Sequence, residues 1–118
     1  NMFITCLYAI LDTESGRLVY ANAGHDPPYL RHNGCDVEEL RARGVPLGLM
    51  PGMDCEEKEI TLKRGESVLF YSDGLVEAHD PHHEMFGFPR LQALVGTHRS
   101  GGEALIVFLL SELTHFTG

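Results

Sequence analysis

Residues 68–77, which read Val-Leu-Phe-Tyr-Ser-Asp-Gly-Leu-Val-Glu, restrict the fold of this chain more than any other segment. The aromatic and β-branched residues at 68–71 predict a strand. Ser72-Asp73-Gly74 then ends it, so one carboxylate stands at a strand end beside a glycine. Such a glycine permits a turn or a close approach of a ligand to the backbone. Because Asp-Gly is also a common turn dipeptide, Asp73 on its own is either a turn residue or a ligand.

Other alternating segments predict further strands upstream of this one. They are residues 2–11, 17–22, 29–32, 37–40 and 55–62. Residues 12–16 predict a hairpin connection, Asn33-Gly34 predicts a tight turn, and 63–66 lead into the strand at 68–71. The strand at 2–11 is apolar on both faces, which favours a central position in a layered fold. Its two faces are Phe3, Leu7 and Leu11 on one side and Ile4, Cys6 and Ile10 on the other.

Helical spacing replaces the alternation after an exposed polar stretch at 79–84. Apolar residues at 91, 94 and 95 predict a short helix, with Pro89 in its first turn. Ser100 or Gly102 then caps a second helix. The residues Leu105, Phe108, Leu109, Glu112 and Phe116 lie at the spacing of one helical face, and the apolar ones among them are expected to form a stripe that faces a sheet. Hairpins followed by two helices predict an α+β fold.

Composition excludes several classes of function. The formal net charge of −8 argues against nonspecific nucleic-acid binding, and aromatic residues do not alternate with basic ones. No apolar run approaches the ~18–20 residues of a membrane span, and residues 1–6 lack the charged start of a signal peptide. Cys6, Cys35 and Cys55 match neither a disulfide framework nor a zinc motif, so we expect reduced thiols in a cytoplasmic protein. Cys6 is expected in a strand core.

Four short motifs occur in a fixed order along the chain. They are Asn-Ala-Gly-His-Asp-Pro-Pro at 22–28, Gly-Val-Pro-Leu-Gly at 44–48, Ser-Asp-Gly at 72–74 and Glu-Met-Phe-Gly at 84–87. This order resembles the SpoIIE-like branch of the metal-dependent Ser/Thr protein phosphatases, in the protein phosphatase 2C superfamily. The resemblance covers nearly the whole chain. It implies two stacked antiparallel β-sheets flanked by helices, an α-β-β-α sandwich, of which this chain carries a part.

The resemblance also implies a metal site. Phosphomonoester hydrolysis needs a nucleophile and neutralised charge, which two divalent cations supply together. Mn²⁺ and Mg²⁺ prefer carboxylates, backbone carbonyls and water. By resemblance Asp73 is a metal ligand and Gly74 contributes its backbone. Glu77 is more simply a solvated carboxylate or a local hydrogen-bond acceptor.

Two loops accompany this site in the family. His25 either protonates the leaving alkoxide or orients its loop by bonding backbone carbonyls, and the second role is favoured. Asn22 and Gly24 shape that loop, Asn22 by capping or bridging the turn. Pro46 and Gly48 belong to a loop at 44–52, either a rigid turn that packs Leu47 and Leu49 into the core or a wall of the active site.

Other chemistries find little support. The histidines at 79, 82 and 83 match no established zinc spacing and are expected in an exposed loop. The sequence contains no Gly-x-Ser-x-Gly elbow and no P-loop.

Several family motifs are missing from residues 1–118. The early Gly-Asp, the Asp-x-x-Gly-His-Gly motif and the final Asp-Asp strand of the family do not occur in this sequence. We therefore expect a partial phosphatase domain that is inactive by itself, since one carboxylate cannot hold two hard cations. Exposed strand edges would favour a homodimer.

For the parent protein, the resemblance implies a phosphoserine or phosphothreonine substrate on an anti-sigma-factor antagonist. The alternative is a non-catalytic module of the same fold that binds partners or relays a signal.

Overall fold

The computed structural model of the chain describes residues 4–33, 36–48, 54–97 and 102–118. Its elements are β1 (Cys6–Leu11), β2 (Arg17–Ala23), β3 (Tyr29–Arg31), β4 (Val37–Glu39), β5 (Glu57–Thr61), β6 (Ser67–Leu69), α1 (Asp73–Val76), α2 (Phe88–Thr97) and α3 (Gly102–Thr117). Phe3, the glycine of the turn at 33–34, Cys35, Leu49 and Ser100 lie outside the described residues, as do 49–53 of the loop predicted at 44–52.

The strands form two antiparallel three-stranded sheets, in the orders β1-β2-β5 and β4-β3-β6. The strand pairs β1-β2 and β3-β4 are the hairpins that the sequence predicts. β5 and β6 do not continue that pattern, because β5 pairs with β2 and β6 pairs with β3. The α+β class is confirmed.

A first core joins the two sheets. Alternation along β2 turns Leu18 and Tyr20 inward, where they pack with Leu30 of β3, with Leu40, and with half-buried Ile60 of β5. Each fully buried side chain of this size contributes about 1.5–3 kcal/mol. Ile60 faces inward from the otherwise exposed β5, as the alternation of apolar and polar residues at 55–62 indicates.

A second core covers the other face of the β4-β3-β6 sheet with helices. Tyr29 points to this face because it neighbours inward-facing Leu30, and it packs with Leu91 and Val95 of α2 and Leu105 and Leu109 of α3. The stripe predicted for the last helix is therefore confirmed at its buried positions. The described residues form layers in the order sheet, sheet, helices, which is part of the predicted sandwich.

The central position predicted for the strand at 2–11 is wrong within the described residues. β1 is the edge of its sheet, and Tyr8 and Ile10 are 63% and 56% exposed. Cys6 is exposed as well, so its expected place in a strand core is also wrong. Apolar residues on both faces of a strand indicate that both faces can be buried, but the pattern does not identify the element that would cover each face.

A turn at Ser72-Asp73-Gly74 is one of the two alternatives that the sequence leaves open, and the structure has the start of a helix there instead. α1 begins at Asp73 directly after Ser72, whose backbone is extended, and the amide of Glu77 donates to the carbonyl of Asp73 at 2.9 Å. The last residue of α1, Val76, anchors the helix to the rest of the structure. Val76 is buried, and its carbonyl accepts from the amide of Gly87 at 2.8 Å.

Among the described residues, no helix combines the length and apolar character needed to cross a membrane.

Candidate functional site

Strand register brings two distant loops to one end of the structure. β3 and β6 are antiparallel with Tyr29 opposite Leu69, so the residues before Tyr29 and those after Leu69 leave the sheet at the same end. The stacked rings of Tyr29 and Tyr71, with centroids 5.3 Å apart, extend this contact beyond the strands. Asp26 and Asp73, which are far apart in sequence, are both at this end, and their side chains interact there.

Asn22 fixes the loop that carries His25. Its side-chain Nδ2 donates to the carbonyl of His25 at 2.9 Å, and its Oδ1 accepts the amide of His25 at 2.7 Å. Two opposite hydrogen bonds from one buried side chain leave the main chain of the loop little freedom. The bridging role expected of Asn22 corresponds to this geometry.

Gly24 and Pro46 lock that loop against the proline loop at 44–48. Gly24 has φ +75°, and a Cβ built there would lie 2.5 Å from Cδ of Pro46. A Cβ at Gly44 would overlap the carbonyl oxygen of Asn22, so the two loops approach as closely as glycine permits.

The other proline-loop residues do not reach the core. Leu47 exchanges backbone hydrogen bonds with Ile4, at 2.9 Å and 2.7 Å, but its side chain is 51% exposed. The expectation that Leu47 packs into the core is therefore wrong. Gly48 is exposed and has φ +86°, the left-handed backbone that favours glycine.

Asp73 and Gly74 form the exposed first turn of α1. Gly74 is part of the helix and does not have a positive φ, so a special backbone conformation does not explain the glycine. A Cβ at Gly74 would have only Ser72 Oγ nearby, at 3.8 Å. The backbone of α1 is thus open to the outside at this residue.

Asp26 is the site residue that the sequence did not single out. Its Oδ2 is buried, and no donor among the described residues satisfies it. Burial, followed by the adjoining Asp73 carboxyl, raises the pKa of Asp26 to about 6. Glu77, the exposed residue that directly follows α1, adds a smaller effect of the same sign. A cation bound between two such carboxyl groups would neutralise the repulsion between them.

A cleft of about 770 Å³ opens beside these carboxylates. Thr5, Cys6, Leu7 and Ala9 line one side, and Phe70, Tyr71, Ser72 and His25 line the other. Burial, together with the Tyr29 hydroxyl, raises the pKa of Tyr71 well above its ordinary range, so Tyr71 stays neutral. The cleft ends at the residue that precedes Asp73.

His25 is half-buried at this cleft. Its Nδ1 lies 2.9 Å from the carbonyl oxygen of Asp26. Since a carbonyl oxygen only accepts, Nδ1 carries a proton, and Nε2 is the basic nitrogen of the neutral ring. The contact with the carbonyl of Asp26 is the one expected if His25 orients its loop. The position of the ring at the cleft is the one needed if His25 protonates a leaving alkoxide.

The histidine-rich stretch at 79–84 is exposed, as expected, apart from the half-buried Asp80. Asp80 organises it, because its Oδ1 accepts the amides of His82 and Glu84 at 2.8 Å and 2.9 Å. Throughout the described part of the chain, no three His, Cys, Asp or Glu side chains are grouped to hold a metal. Asp26 and Asp73 together provide only part of a coordination sphere.

Comparisons with known proteins agree with this fold. The chain is 31% identical over 102 residues to the phosphoserine phosphatase RsbU of Bacillus subtilis, covering 83% of the chain and 29% of RsbU. It is 29% identical over 112 residues to protein IcfG of Synechocystis, covering 95% of the chain and 18% of that protein. The chain thus spans less than a third of either relative.

A solved structure has the same fold. The PP2C phosphatase domain of SpoIIE from Bacillus subtilis, determined with a fragment of its regulatory domain, superposes with a TM-score of 0.77 at 20% identity, covering 95% of this chain and 33% of that one. The family model described as Stage II sporulation protein E matches residues 1–118, the whole chain, and the protein therefore belongs to the SpoIIE family.

Proposed function

We propose that this chain supplies one half of the active site of a metal-dependent protein serine/threonine phosphatase. The observation that carries the proposal is the carboxylate pair, Asp73 at the start of α1 with the buried, donorless Oδ2 of Asp26 beside it. A non-catalytic relay module of the same fold has no need for two adjoining carboxylates next to a cleft. The pair therefore favours the enzyme over that alternative.

The residues present fit a hard divalent cation such as Mn²⁺ or Mg²⁺. The carboxylate of Asp73 and the open backbone at Gly74 are oxygen donors of the kind that these cations prefer. When bound, such cations lower the pKa of a water molecule and neutralise charge on the phosphoryl oxygens. The remaining ligands would come from outside the described residues.

His25 is the proposed proton donor to the leaving serine or threonine oxygen. In its imidazolium form the ring keeps the Nδ1–H bond to the carbonyl of Asp26 and presents Nε2–H to the cleft. Asn22 holds the backbone of His25 in place for this role. A proton donated to the leaving oxygen lets it depart as a neutral alcohol instead of an alkoxide, and a histidine can assist the hydrolysis of a phosphomonoester at this step.

The proposed substrate is a protein that carries phosphoserine or phosphothreonine, of the anti-sigma-factor antagonist type. Two observations support it: the chain is similar to a phosphoserine phosphatase, and a cleft of about 770 Å³ lies beside His25 and Ser72. A cytoplasmic location is part of the same proposal.

Phosphate release from a phosphoserine peptide by the full-length gene product, with Mn²⁺ present, tests the proposal. Asp73→Asn should reduce kcat/KM by more than the roughly 100-fold that loss of an outer-shell partner costs. The matched control is Asp54→Asn, because Asp54 is an exposed aspartate away from the cleft. Equal activity of the Asp73 and Asp54 variants would contradict the metal role, and absence of activity in the unaltered protein would favour the relay module.

A homodimer is also proposed, through the exposed edge of β1. Tyr8 and Ile10 present apolar surface there, and among the strands in the described part of the chain β1 pairs only with β2. An unpaired apolar edge strand is a template for association. Sedimentation of the 118-residue chain should show dimers at about 100 μM, a concentration in the range where exposed edges associate; a monomer at that concentration would contradict this.

A further inference from the structure

The buried Oδ2 of Asp26 requires an explanation beyond the loop that carries it. A buried acceptor without a donor costs about 1–3 kcal/mol, more for a charged group, and native structures rarely leave one. No hydrogen-bond donor among the described residues reaches this oxygen. The adjoining group is another carboxyl, that of Asp73, which lies within hydrogen-bond reach and adds repulsion to the cost of burial when both carboxyls are ionised.

The loop is built to hold Asp26 where it is. Asn22 bonds the main chain of the preceding residue, His25, on both sides. Gly24 is pressed against Pro46, and buried Pro28 follows two residues later. The carbonyl of Asp26 also accepts from the ring of His25 at 2.9 Å. Because both flanks are fixed, the carboxylate cannot turn out to water by a shift of its backbone.

A buried carboxylate oxygen without a donor, carried on a fixed backbone and facing a second carboxylate, matches a cation ligand better than a structural hydrogen-bond acceptor. We propose that Asp26 is a second carboxylate ligand of the divalent cation bound by Asp73, an inference that rests on the proposed function. The cation then satisfies Oδ2 and removes the repulsion within the pair. The β2-β3 loop thereby becomes part of the metal centre, and His25 is held next to it.

Binding of Mn²⁺ to the full-length gene product, measured by titration calorimetry and by electron paramagnetic resonance of the free ion, tests this inference. The variants are Asp26→Asn, Asp73→Asn and the exposed control Asp54→Asn. Asp26→Asn should weaken Mn²⁺ binding at least about tenfold, the range for groups around a metal. Asp73→Asn should weaken it at least as much, and Asp54→Asn should leave it unchanged.

A second readout separates a ligand from a purely structural residue. Without metal, Asp26→Asn should melt no lower than the unaltered protein, because asparagine keeps the shape and removes one charge of the pair. With saturating Mn²⁺ the unaltered protein should gain more in Tm than the Asp26 variant does.

The possible failures are distinguishable. Loss of binding in Asp73→Asn with unchanged binding in Asp26→Asn would overturn the inference and leave the proposed function intact. A lower metal-free Tm of Asp26→Asn with unchanged Mn²⁺ affinity would also overturn it, because Asp26 would then be structural. No Mn²⁺ binding by the unaltered protein would overturn both.

Discussion

The contact between Gly24 and Pro46 gives a sharp test of how rigidly the site loops are held. In Gly24→Ala, the new Cβ would lie 2.5 Å, 2.6 Å and 2.7 Å from Cδ, Cγ and N of Pro46. Carbon atoms in favourable contact are about 3.5–4.0 Å apart, so the overlap is about 1 Å against a ring and a backbone atom. Relief requires the two loops to separate.

The expected cost has two parts. Alanine at φ +75° is disfavoured by about 1–2 kcal/mol, and overpacking adds about 1–3 kcal/mol. Gly87→Ala is the matched control, because Gly87 has φ +82° while its nearest contacts are 3.8 Å away. Both variants restrict the unfolded chain equally, so that effect cancels between them.

Urea unfolding of the two variants measures the difference. Gly24→Ala should be less stable than Gly87→Ala by about 1–3 kcal/mol, the overpacking cost alone. Equal free energies of unfolding, within about 0.5 kcal/mol, would refute the argument. The loops would then be loose enough to accept a methyl group, and the fixed position of Asp26 would have no basis.

Three further predictions concern other parts of the chain. The ring nitrogens of His32 lie 2.5 Å from a carboxylate oxygen of Glu66 and 2.7 Å from one of Glu38. These carboxylates raise the pKa of His32 above its ordinary value of about 6.5. The ion pairs therefore stabilise the fold fully below about pH 6.5, and that stabilisation is lost as the pH rises through the pKa of the folded state. The Tm advantage over His32→Gln should therefore shrink between pH 6 and pH 9 in thermal melts, and a constant difference would contradict the ion pairs. Gly74→Ala should keep or slightly raise Tm, because alanine favours a helix by up to about 1 kcal/mol, yet lower Mn²⁺-dependent phosphatase activity; unchanged activity would exclude close approach to that backbone. The 118-residue chain alone should show no Mn²⁺-dependent hydrolysis of p-nitrophenyl phosphate, because two adjoining carboxylates leave most positions around a hard cation unfilled, and robust turnover would contradict this.

Local patterns predicted those parts of the fold that depend on local interactions. In β2 and β5 the alternation of apolar and polar residues matches the buried and exposed faces, since the period of a strand decides its faces. Likewise, the stripe of α3 identified Leu105 and Leu109. In contrast, α1 has four residues, too few for a helical period, and it begins at a dipeptide typical of turns.

The features that could not be predicted from the sequence depend on contacts between distant residues. The exposure of Cys6 and Leu47 depends on which elements cover them, and a local pattern does not record that. The pairing of Asp26 with Asp73 follows from the register of β3 against β6, which brings two separate loops together. One local signal was available for Asp26: an acidic residue directly after Asn-Ala-Gly-His, in a loop whose glycine and prolines indicate a fixed backbone.

Anomalous diffraction at the manganese edge, from crystals of the full-length gene product soaked in Mn²⁺, tests the central claim most directly. We expect a manganese peak at the start of α1, within about 2.0–2.6 Å of an Asp73 carboxylate oxygen, the range for hard divalent cations, with Oδ2 of Asp26 turned towards the same ion. Manganese bound only elsewhere, for example at the exposed histidines of 79–84, or no manganese in well-ordered crystals, would contradict a metal centre built on Asp73.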